Sequence, residues 1–250
     1  LGAALPPSPL ADLLPDRQAF EACLAVAARR GAESIVLMGD YVGYGGDPEW
    51  VTHKVIELVA AGARAIRGNH DTALRDTSID LNPQAAAAMH WTRSQLDRTS
   101  RDFLAALPLT LRSGDVLYVH ADASQPSAWN YISDATEAGR SLRGTDAAIV
   151  FSAHIHRPAV YSVSATGKMT SFRPTTGIPV QLTPGRRWQI VLGAVGQPRD
   201  GIAAASYALF DETLRTVEFC RVPYDIDAAA ARIIENRLPA WLAERLYKGV

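Results

Sequence analysis

Residues 17–40, RQAFEACLAVAARRGAESIVLMGD, contain one unit of helix followed by strand. Apolar side chains recur at helical spacing, at Phe20, Leu24, Ala27 and Ala28. Gly31 stands where a glycine C-cap belongs, so we expect the helix to end there. SIVLMGD is a short apolar run of the kind found in buried parallel strands, which places Asp40 at the carboxyl end of a strand.

The same alternation continues through the first half of the chain. Further helices are predicted over 47–62, 82–96, 99–107 and 134–142, and further strands over 63–71, 116–121 and 148–154. Asn82, and either Thr99 or Ser100, are the expected N-caps of two of these helices. The alternation indicates an α/β protein with a mainly parallel sheet in this half.

The second half has a different pattern. Between residues 159 and 222, six short strand-like segments are separated by Gly and Pro turns, which favours antiparallel pairing. Two helices are predicted over 225–237 and 239–247. No linker or internal repeat interrupts the chain, so we expect a single α/β domain over residues 1–250, with two sheets, an irregular segment at 1–11 and the closing helices at 225–250.

Composition and charge narrow the classes of protein. The 26 acidic and 25 basic residues nearly balance, which argues against a nucleic-acid partner or an anionic membrane. No run of about 18 apolar residues is present, so no membrane span is expected. The first 16 residues lack the basic region of a signal peptide, and the two cysteines are far apart in sequence. These features predict a cytoplasmic protein with reduced thiols.

Polar residues follow four of the predicted strands. They are Asp40, Asn69, His70, Asp71, His120, His154 and His156. In open α/β sheets, ligands bind beyond the carboxyl ends of the strands, so we expect these side chains to converge. His154 and His156 are two residues apart, and in a continuing strand both rings would project from one side. His53 and His90 lie within predicted helices and are interpreted as surface or packing residues.

The residue types indicate a metal centre. Imidazole, carboxylate and amide oxygen without thiolate suit Mn, Fe, Zn, Ni or Co, bound as one or two divalent ions. Two such ions can share a bridging carboxylate, act on a phosphoryl group and supply hydroxide at neutral pH. Gly39 and Gly68 precede Asp40 and Asn69, where glycine allows a sharp turn and a close approach of the backbone.

The stretches GDYVGYGGDP, GNHD, VHA and AHIHRP resemble, in order and spacing, the motifs of calcineurin-like metallophosphoesterases. GAVGQPRDG and ASYALFD also resemble the small bacterial branch with diadenosine-tetraphosphatase-like and YfcE-like proteins, and the resemblance covers about 17–225. It implies a four-layer αββα sandwich of two mixed sheets flanked by helices. It also implies these roles: Asp40 bridges two metals, Asn69, His120 and His154 bind one metal, His156 binds the other, His70 contacts phosphate and assists the leaving group, and Asp71 orients His70.

Two positions depart from the family pattern. Ala153 replaces the usual glycine of the last motif, where its methyl group could crowd the turn. In the first motif, D-x-H-G-N, a gap-free match puts Asp12 at the metal-ligand aspartate and Leu14 at the ligand histidine. A rival alignment with a four-residue deletion uses Asp16 instead. The prolines of the preceding ALPPSPL predict a poor central strand, because proline cannot donate to the ladder.

The resemblance implies a metal-dependent phosphoesterase that hydrolyses a phosphomonoester or phosphodiester with metal-activated hydroxide, acting on a small-molecule or phosphorylated substrate. Leu14 cannot bind a metal, so we expect one ion to bind well and the other weakly, with reduced activity. A catalytically weak or inactive metal- or nucleotide-binding module is the alternative. An amidohydrolase is disfavoured because the second half lacks repeated βα units. Substrate contacts are predicted for Asn69, His70 and Arg157, with Tyr44, Trp129 and Arg199 as further candidates.

Overall fold

Twelve strands and eight α-helices lie in the part of the chain that the computed structural model describes, residues 7–10, 13–79 and 83–250. The strands are β1 (Pro7–Leu10), β2 (Ser34–Leu37), β3 (Arg64–Ala65), β4 (Thr110–Ser113), β5 (Val116–Val119), β6 (Ile149–Ser152), β7 (Ala159–Ser164), β8 (Met169–Phe172), β9 (Val180–Gln181), β10 (Arg186–Val191), β11 (Ala205–Asp211) and β12 (Thr216–Val222). The helices are α1 (Arg17–Arg29), α2 (Pro48–Ala60), α3 (Asn69–Ala73), α4 (Pro83–Gln95), α5 (Arg98–Ala106), α6 (Ala135–Arg143), α7 (Ile226–Glu235) and α8 (Ala240–Lys248).

The strands form two six-stranded mixed sheets. The first has the order β3-β2-β1-β11-β12-β9 and the second has the order β4-β5-β6-β10-β7-β8. Strands β1, β2 and β3 are mutually parallel, as are β5, β6 and β10. Each sheet therefore has a parallel part, which antiparallel strands flank on one side in the first sheet and on both sides in the second.

Packing of the sheets against each other and against helices produces four layers. One apolar cluster lies between the sheets and includes Val36 and Phe210 of the first sheet with Tyr118 and Phe151 of the second. Helices α1 and α2 bury their apolar faces, including Phe20, on the other side of the first sheet, while α6 covers the second. The predicted αββα sandwich is confirmed.

Strand β1 overturns the expectation drawn from its prolines. It lies inside the first sheet, parallel to β2 along its whole length and antiparallel to β11 at the Leu10–Tyr207 pair. Pro7 and Pro9 are two residues apart, so both omit a donor toward the same side of the strand, while Ser8 and Leu10 keep their N–H groups toward the other side. Two prolines in this register weaken one ladder only, which a four-residue strand tolerates.

Several local predictions are confirmed and others are wrong. Gly31 follows the end of α1 with a φ of 77°, as expected of a glycine C-cap. Ala28 is exposed, whereas Cys23 is buried in the face of α1 that packs on the sheet. Helix α5 is capped by Asp97, whose carboxylate accepts the Ser100 N–H at 2.7 Å, rather than by Thr99 or Ser100. The predicted cap Asn82 lies outside the described residues.

The second half is antiparallel except where β10 inserts beside β6. That pair is parallel, so the second sheet joins the two halves of the chain. Both cysteines are free and buried in one apolar cluster. Among the helices described, none is long and apolar enough to cross a membrane.

Candidate metal centre

The parallel strands of both sheets bring the predicted residues to one region. Asp40 follows β2 and Asn69 follows β3 in the first sheet, while His120 follows β5 and His154 follows β6 in the second. Because the two sheets pack face to face, the carboxyl ends of these four strands meet along one edge of the sandwich.

Three side chains from both sheets form a compact group. Ligand atoms of Asp40, His120 and His154 all lie within 4.8 Å of one another, and the three residues are buried. The His120 Nε2 atom is 3.3 Å from an Asp40 carboxylate oxygen and 3.2 Å from His154 Nδ1. One carboxylate and two imidazoles at these separations can share a divalent cation.

Backbone carbonyls set the orientation of both histidine rings. His120 Nδ1 lies 2.8 Å from the Met38 carbonyl, and His154 Nε2 lies 3.0 Å from the Trp129 carbonyl. A carbonyl only accepts, so each of these ring nitrogens carries the proton. The opposite nitrogens then present lone pairs toward each other and toward the Asp40 carboxylate. A cation offsets the repulsion among three such acceptors, and carbonyl-bound imidazoles are typical of metal ligands.

Asn69 adds a fourth oxygen donor. It begins α3, is 8% exposed, and its Oδ1 atom is buried with no hydrogen-bond partner among the described residues. An unpaired buried acceptor is unfavourable unless something unseen satisfies it, such as an ion. The residues present therefore fit a divalent metal on both donor chemistry and placement.

Two glycines allow the loops around Asp40 to approach closely, as the sequence predicted. Gly39 has a φ of 95°, and Asp40 itself has a φ of 54°, which is rare for a residue other than glycine. A Cβ atom on Gly68 would lie 2.1 Å from an Asp40 carboxylate oxygen. Strained backbone of this kind is concentrated at functional sites in proteins.

Charge and burial affect the protonation of Asp40 and of the neighbouring histidines. Burial opposes ionisation of Asp40, whereas positive charge on His120, His70 or His154, when one of them is protonated, lowers the pKa of Asp40 below the usual range. Burial lowers the pKa of His154 to about 3 and also lowers that of His70. An ionised carboxylate among neutral imidazoles is the protonation state that metal binding needs.

Asp71 was expected to orient His70, but its carboxylate contacts backbone N–H groups instead. Its carboxylate accepts the backbone N–H groups of Asp40 at 2.8 Å, Tyr41 at 2.9 Å and Gly68 at 2.8 Å. Asp71 therefore ties together the two loops that carry Asp40 and Asn69. His70 is positioned instead by its backbone N–H, which donates to the Asp40 carboxylate at 3.0 Å. The Tyr44 ring also contacts the His70 ring, with the two ring centroids 4.8 Å apart.

His156 lies beside this group but is held differently. Strand β6 ends at Ser152, and His154 and His156 have φ values of 68° and 60°, so the alternation expected of a strand does not apply to them. His156 Nδ1 is 2.7 Å from the Gln197 carbonyl, which directs Nε2 away from that loop. His156 is not among the three residues whose ligand atoms cluster within the described chain.

Between residues 13 and 16, the described part of the first-motif region, no side chain offers a nitrogen ligand to a second ion. Asp12 lies outside the described residues. Leu14 is buried in an apolar cluster with Tyr44 and side chains of α7 and α8, and its backbone N–H donates to the Asp40 carbonyl at 2.9 Å. Asp16, the rival candidate, caps α1 by accepting the Ala19 N–H at 2.9 Å. Burial raises the pKa of Asp16 to about 7.

The remaining candidates lie around the centre or on the surface. Ala153 has no left-handed φ and its methyl group is buried in the apolar cluster between the sheets, so the expected crowding does not occur. Arg157 is exposed, and its Nε donates to the Arg199 carbonyl at 2.8 Å. His53 and His90 are exposed on α2 and α4, as predicted.

Two residues beside the centre were not among the predicted site residues. Tyr131 stacks on His154 with ring centroids 4.4 Å apart and an interplanar angle of 12°. Gln197 contributes only its carbonyl to His156, and any residue type supplies a carbonyl. Gln197 lies within the GAVGQPRDG stretch, which is the signal that could have drawn attention to it.

Comparison with known proteins agrees with this geometry. The model of the calcineurin-like phosphoesterase superfamily domain matches residues 10–214. An uncharacterised protein of Methanocaldococcus jannaschii is 32% identical over 252 residues, covering 96% of each chain. The crystal structure of a metallophosphoesterase from Sphaerobacter thermophilus is 33% identical and superposes with a TM-score of 0.86, covering 99% of this chain and 100% of that one.

A hypothetical protein from Pyrococcus horikoshii shares the fold at 19% identity, with a TM-score of 0.78 over 97% of this chain and 98% of the other. The family typically binds divalent metals, and its membership implies metal-dependent hydrolysis of phosphoesters. From the motifs, the two-sheet fold, the cluster at the strand ends and the extent of these matches, the chain belongs to the calcineurin-like phosphoesterase superfamily.

Proposed function

We propose that this protein hydrolyses a phosphomonoester or phosphodiester at the centre formed by Asp40, Asn69, His120 and His154. The observation that carries the proposal is the convergence of the Asp40, His120 and His154 ligand atoms within 4.8 Å. The partnerless Asn69 oxygen beside them and the family membership support it.

These four residues would hold one divalent ion, of the group Mn, Fe, Zn, Ni or Co. A bound divalent ion polarises a phosphoryl oxygen and lowers the pKa of water. The chain contributes the rest: Asp40 supplies negative charge that holds the cation, and the Met38 and Trp129 carbonyls keep both histidine rings in the binding tautomer.

His70 is the residue we propose to assist the leaving group. It is 5% exposed, and its backbone bond to Asp40 places it beside the centre. Its Nδ1 atom has no hydrogen-bond partner among the residues described, and burial keeps the ring neutral by lowering its pKa. A neutral imidazole at this place can donate a hydrogen bond to phosphate or to the departing oxygen.

We further propose that a second ion binds weakly on the His156 side. Leu14 stands at the family position of a ligand histidine, and its surroundings are apolar. Metal analysis of protein purified without chelators tests this, with one tightly held ion per chain expected. Two tightly held ions would contradict it. The catalytically weak or inactive binding module remains the second candidate, favoured by the same missing ligand.

Turnover of p-nitrophenyl phosphate and bis-p-nitrophenyl phosphate with added Mn²⁺ tests the function. We expect His70→Ala to lower kcat by about 10²- to 10⁴-fold, the range for a positioned acid–base group. His120→Ala should abolish both Mn²⁺ binding and turnover. His53→Ala, exposed on α2, is the control. Equal background rates in wild type and His120→Ala would favour the inactive binding module.

A further inference from the structure

A cluster of arginines lies directly beside the proposed centre. Arg157 follows His156 in the chain, and the Arg199 backbone N–H donates to the His156 carbonyl at 3.2 Å. Arg157, Arg173 and Arg199 line one cavity of about 330 Å³. Arg157 and Arg199 also line a second cavity of about 300 Å³, together with Tyr131, the residue that stacks on His154. The arginine cavity is therefore adjacent to the space beside the centre.

No carboxylate among the described residues neutralises the positive charges of Arg157, Arg173 and Arg199. Arg157 uses its Nε on the Arg199 carbonyl, and Arg199 uses Nη2 on the side-chain oxygen of Gln197 at 2.9 Å. Both bonds orient a guanidinium group without cancelling its charge. Over the described ranges, none of Arg157, Arg173 and Arg199 forms an ion pair with a carboxylate. The fourth arginine of the cavity, Arg221, is paired with Asp200.

The position of Arg199 connects this charge to the chemistry. Its guanidinium carbon lies 5.7 Å from the centre of the Tyr44 ring, and that ring contacts His70 at 4.8 Å. An anion bound by Arg199 would thus lie close to a phosphate bound at the centre.

We propose that Arg157, Arg173 and Arg199 form a second anion-binding subsite, and that the substrate is a phosphoester with a second anionic group. This substrate class rests on the proposed hydrolase function. Guanidinium groups bind phosphate or carboxylate through paired N–H donors, and three of them around one cavity favour an anion over a neutral group. The second group is a phosphate or a carboxylate, and the two sources are separated below.

Binding to metal-free protein tests the subsite without relying on turnover. Titration calorimetry of chelator-treated protein compares adenosine 3′,5′-bisphosphate with AMP, which lacks the second phosphate. A second pair compares 3-phosphoglycerate with glycerol 3-phosphate, which lacks the carboxylate. In at least one pair, we expect the ligand with the second anionic group to bind about tenfold to a hundredfold more tightly than the ligand that lacks it, the range for hydrogen bonds to charged groups. The pair with the larger ratio identifies the source.

Arg157→Gln, Arg173→Gln and Arg199→Gln should each reduce that ratio, and Arg29→Gln, an exposed arginine at the end of α1, should preserve it. Arg157 and Arg173 are exposed, so their variants will fold even if Arg199→Gln does not. Equal affinities within both pairs, or an unchanged ratio in the Arg157 and Arg173 variants, would overturn the subsite. If the wild-type protein keeps the ratio but hydrolyses neither p-nitrophenyl phosphate nor bis-p-nitrophenyl phosphate with added Mn²⁺, the hydrolase function is overturned and the subsite stands.

Discussion

Replacing Gly68 with alanine tests whether close packing of the two loops sets the metal geometry. Gly68 has φ −97° and ψ −178°, an extended backbone that alanine adopts without strain. The added methyl carbon would lie 2.1 Å from an Asp40 carboxylate oxygen and 2.6 Å from the Asp40 backbone nitrogen. The substitution therefore acts through space alone, against the residue at the middle of the ligand group.

The size of the effect follows from these distances. Ordinary contact begins at 3.4 Å, so the carboxylate oxygen must move by about 1.3 Å or the loops must separate. Either movement disturbs the bond from the His70 N–H to Asp40. We expect metal affinity to fall by about 10- to 100-fold, as for residues that support ligands. Overpacking should cost about 1–3 kcal/mol of unfolding free energy.

Calorimetric titration with Mn²⁺ and thermal melting of the metal-free protein measure the two effects separately. For a chain of this length, the destabilisation corresponds to a fall in Tm of about 2–12 °C. Gly139→Ala in α6 is the control, because its methyl would meet only the flexible ends of Met169 and Arg143 and alanine favours helix. Wild-type Mn²⁺ affinity in Gly68→Ala would refute the role assigned to this contact.

Three further predictions concern neighbouring residues. Asp16→Asn keeps an acceptor for the α1 cap and removes a carboxyl whose pKa burial raises from 3.8 to about 7. The stability gained by this substitution should be near zero at pH 4, grow as pH rises to 7 and reach at most about 4 kcal/mol at pH 8. Urea denaturation measures the gain, and a gain that is largest at pH 4 would contradict the prediction. Leu14→Ala should lower the free energy of unfolding by about 2–5 kcal/mol, because Leu14 is 2% exposed in an apolar cluster, and should leave the Mn²⁺ affinity intact. Urea denaturation measures the first effect and calorimetry the second. A large loss of Mn²⁺ affinity would show that Leu14 shapes the metal site. Tyr131→Leu removes the ring stacked on His154 and should weaken Mn²⁺ binding by up to about tenfold, since aromatic pairs contribute about 0.5–1.5 kcal/mol. An unchanged Mn²⁺ affinity in calorimetry would show that the stacked ring does not position His154.

The ligand group could be predicted because its members follow strands that the apolar pattern locates. Each of Asp40, Asn69, His120 and His154 comes shortly after a parallel strand, and such strands end at a common edge. The strand argument was wrong for the spacing of His154 and His156, because β6 ends before them and both adopt left-handed backbone. The role of His156, like the other site roles, stays a prediction.

Predictions from local sequence also failed where contacts with residues distant in the chain determine the structure. The prolines of β1 argue against a central strand, yet pairing with β2 and β11 on its two sides places it inside the first sheet. Asp71 was expected to orient the His70 ring, yet three backbone N–H groups from the folded loops surround its carboxylate. Neither the sheet partners nor these N–H groups can be identified before the chain has folded.

The sequence by itself determined the family, the αββα architecture and the residue types at the strand ends, because periodicity and motif order are properties of the chain. Tertiary structure alone decided which ring nitrogen of each histidine faces the centre and how closely Gly68 approaches Asp40. It also decided that three arginines share one cavity, where no described carboxylate pairs with them. These features depend on contacts between residues distant in sequence. Their geometry is set by packing of two sheets, which no local pattern specifies.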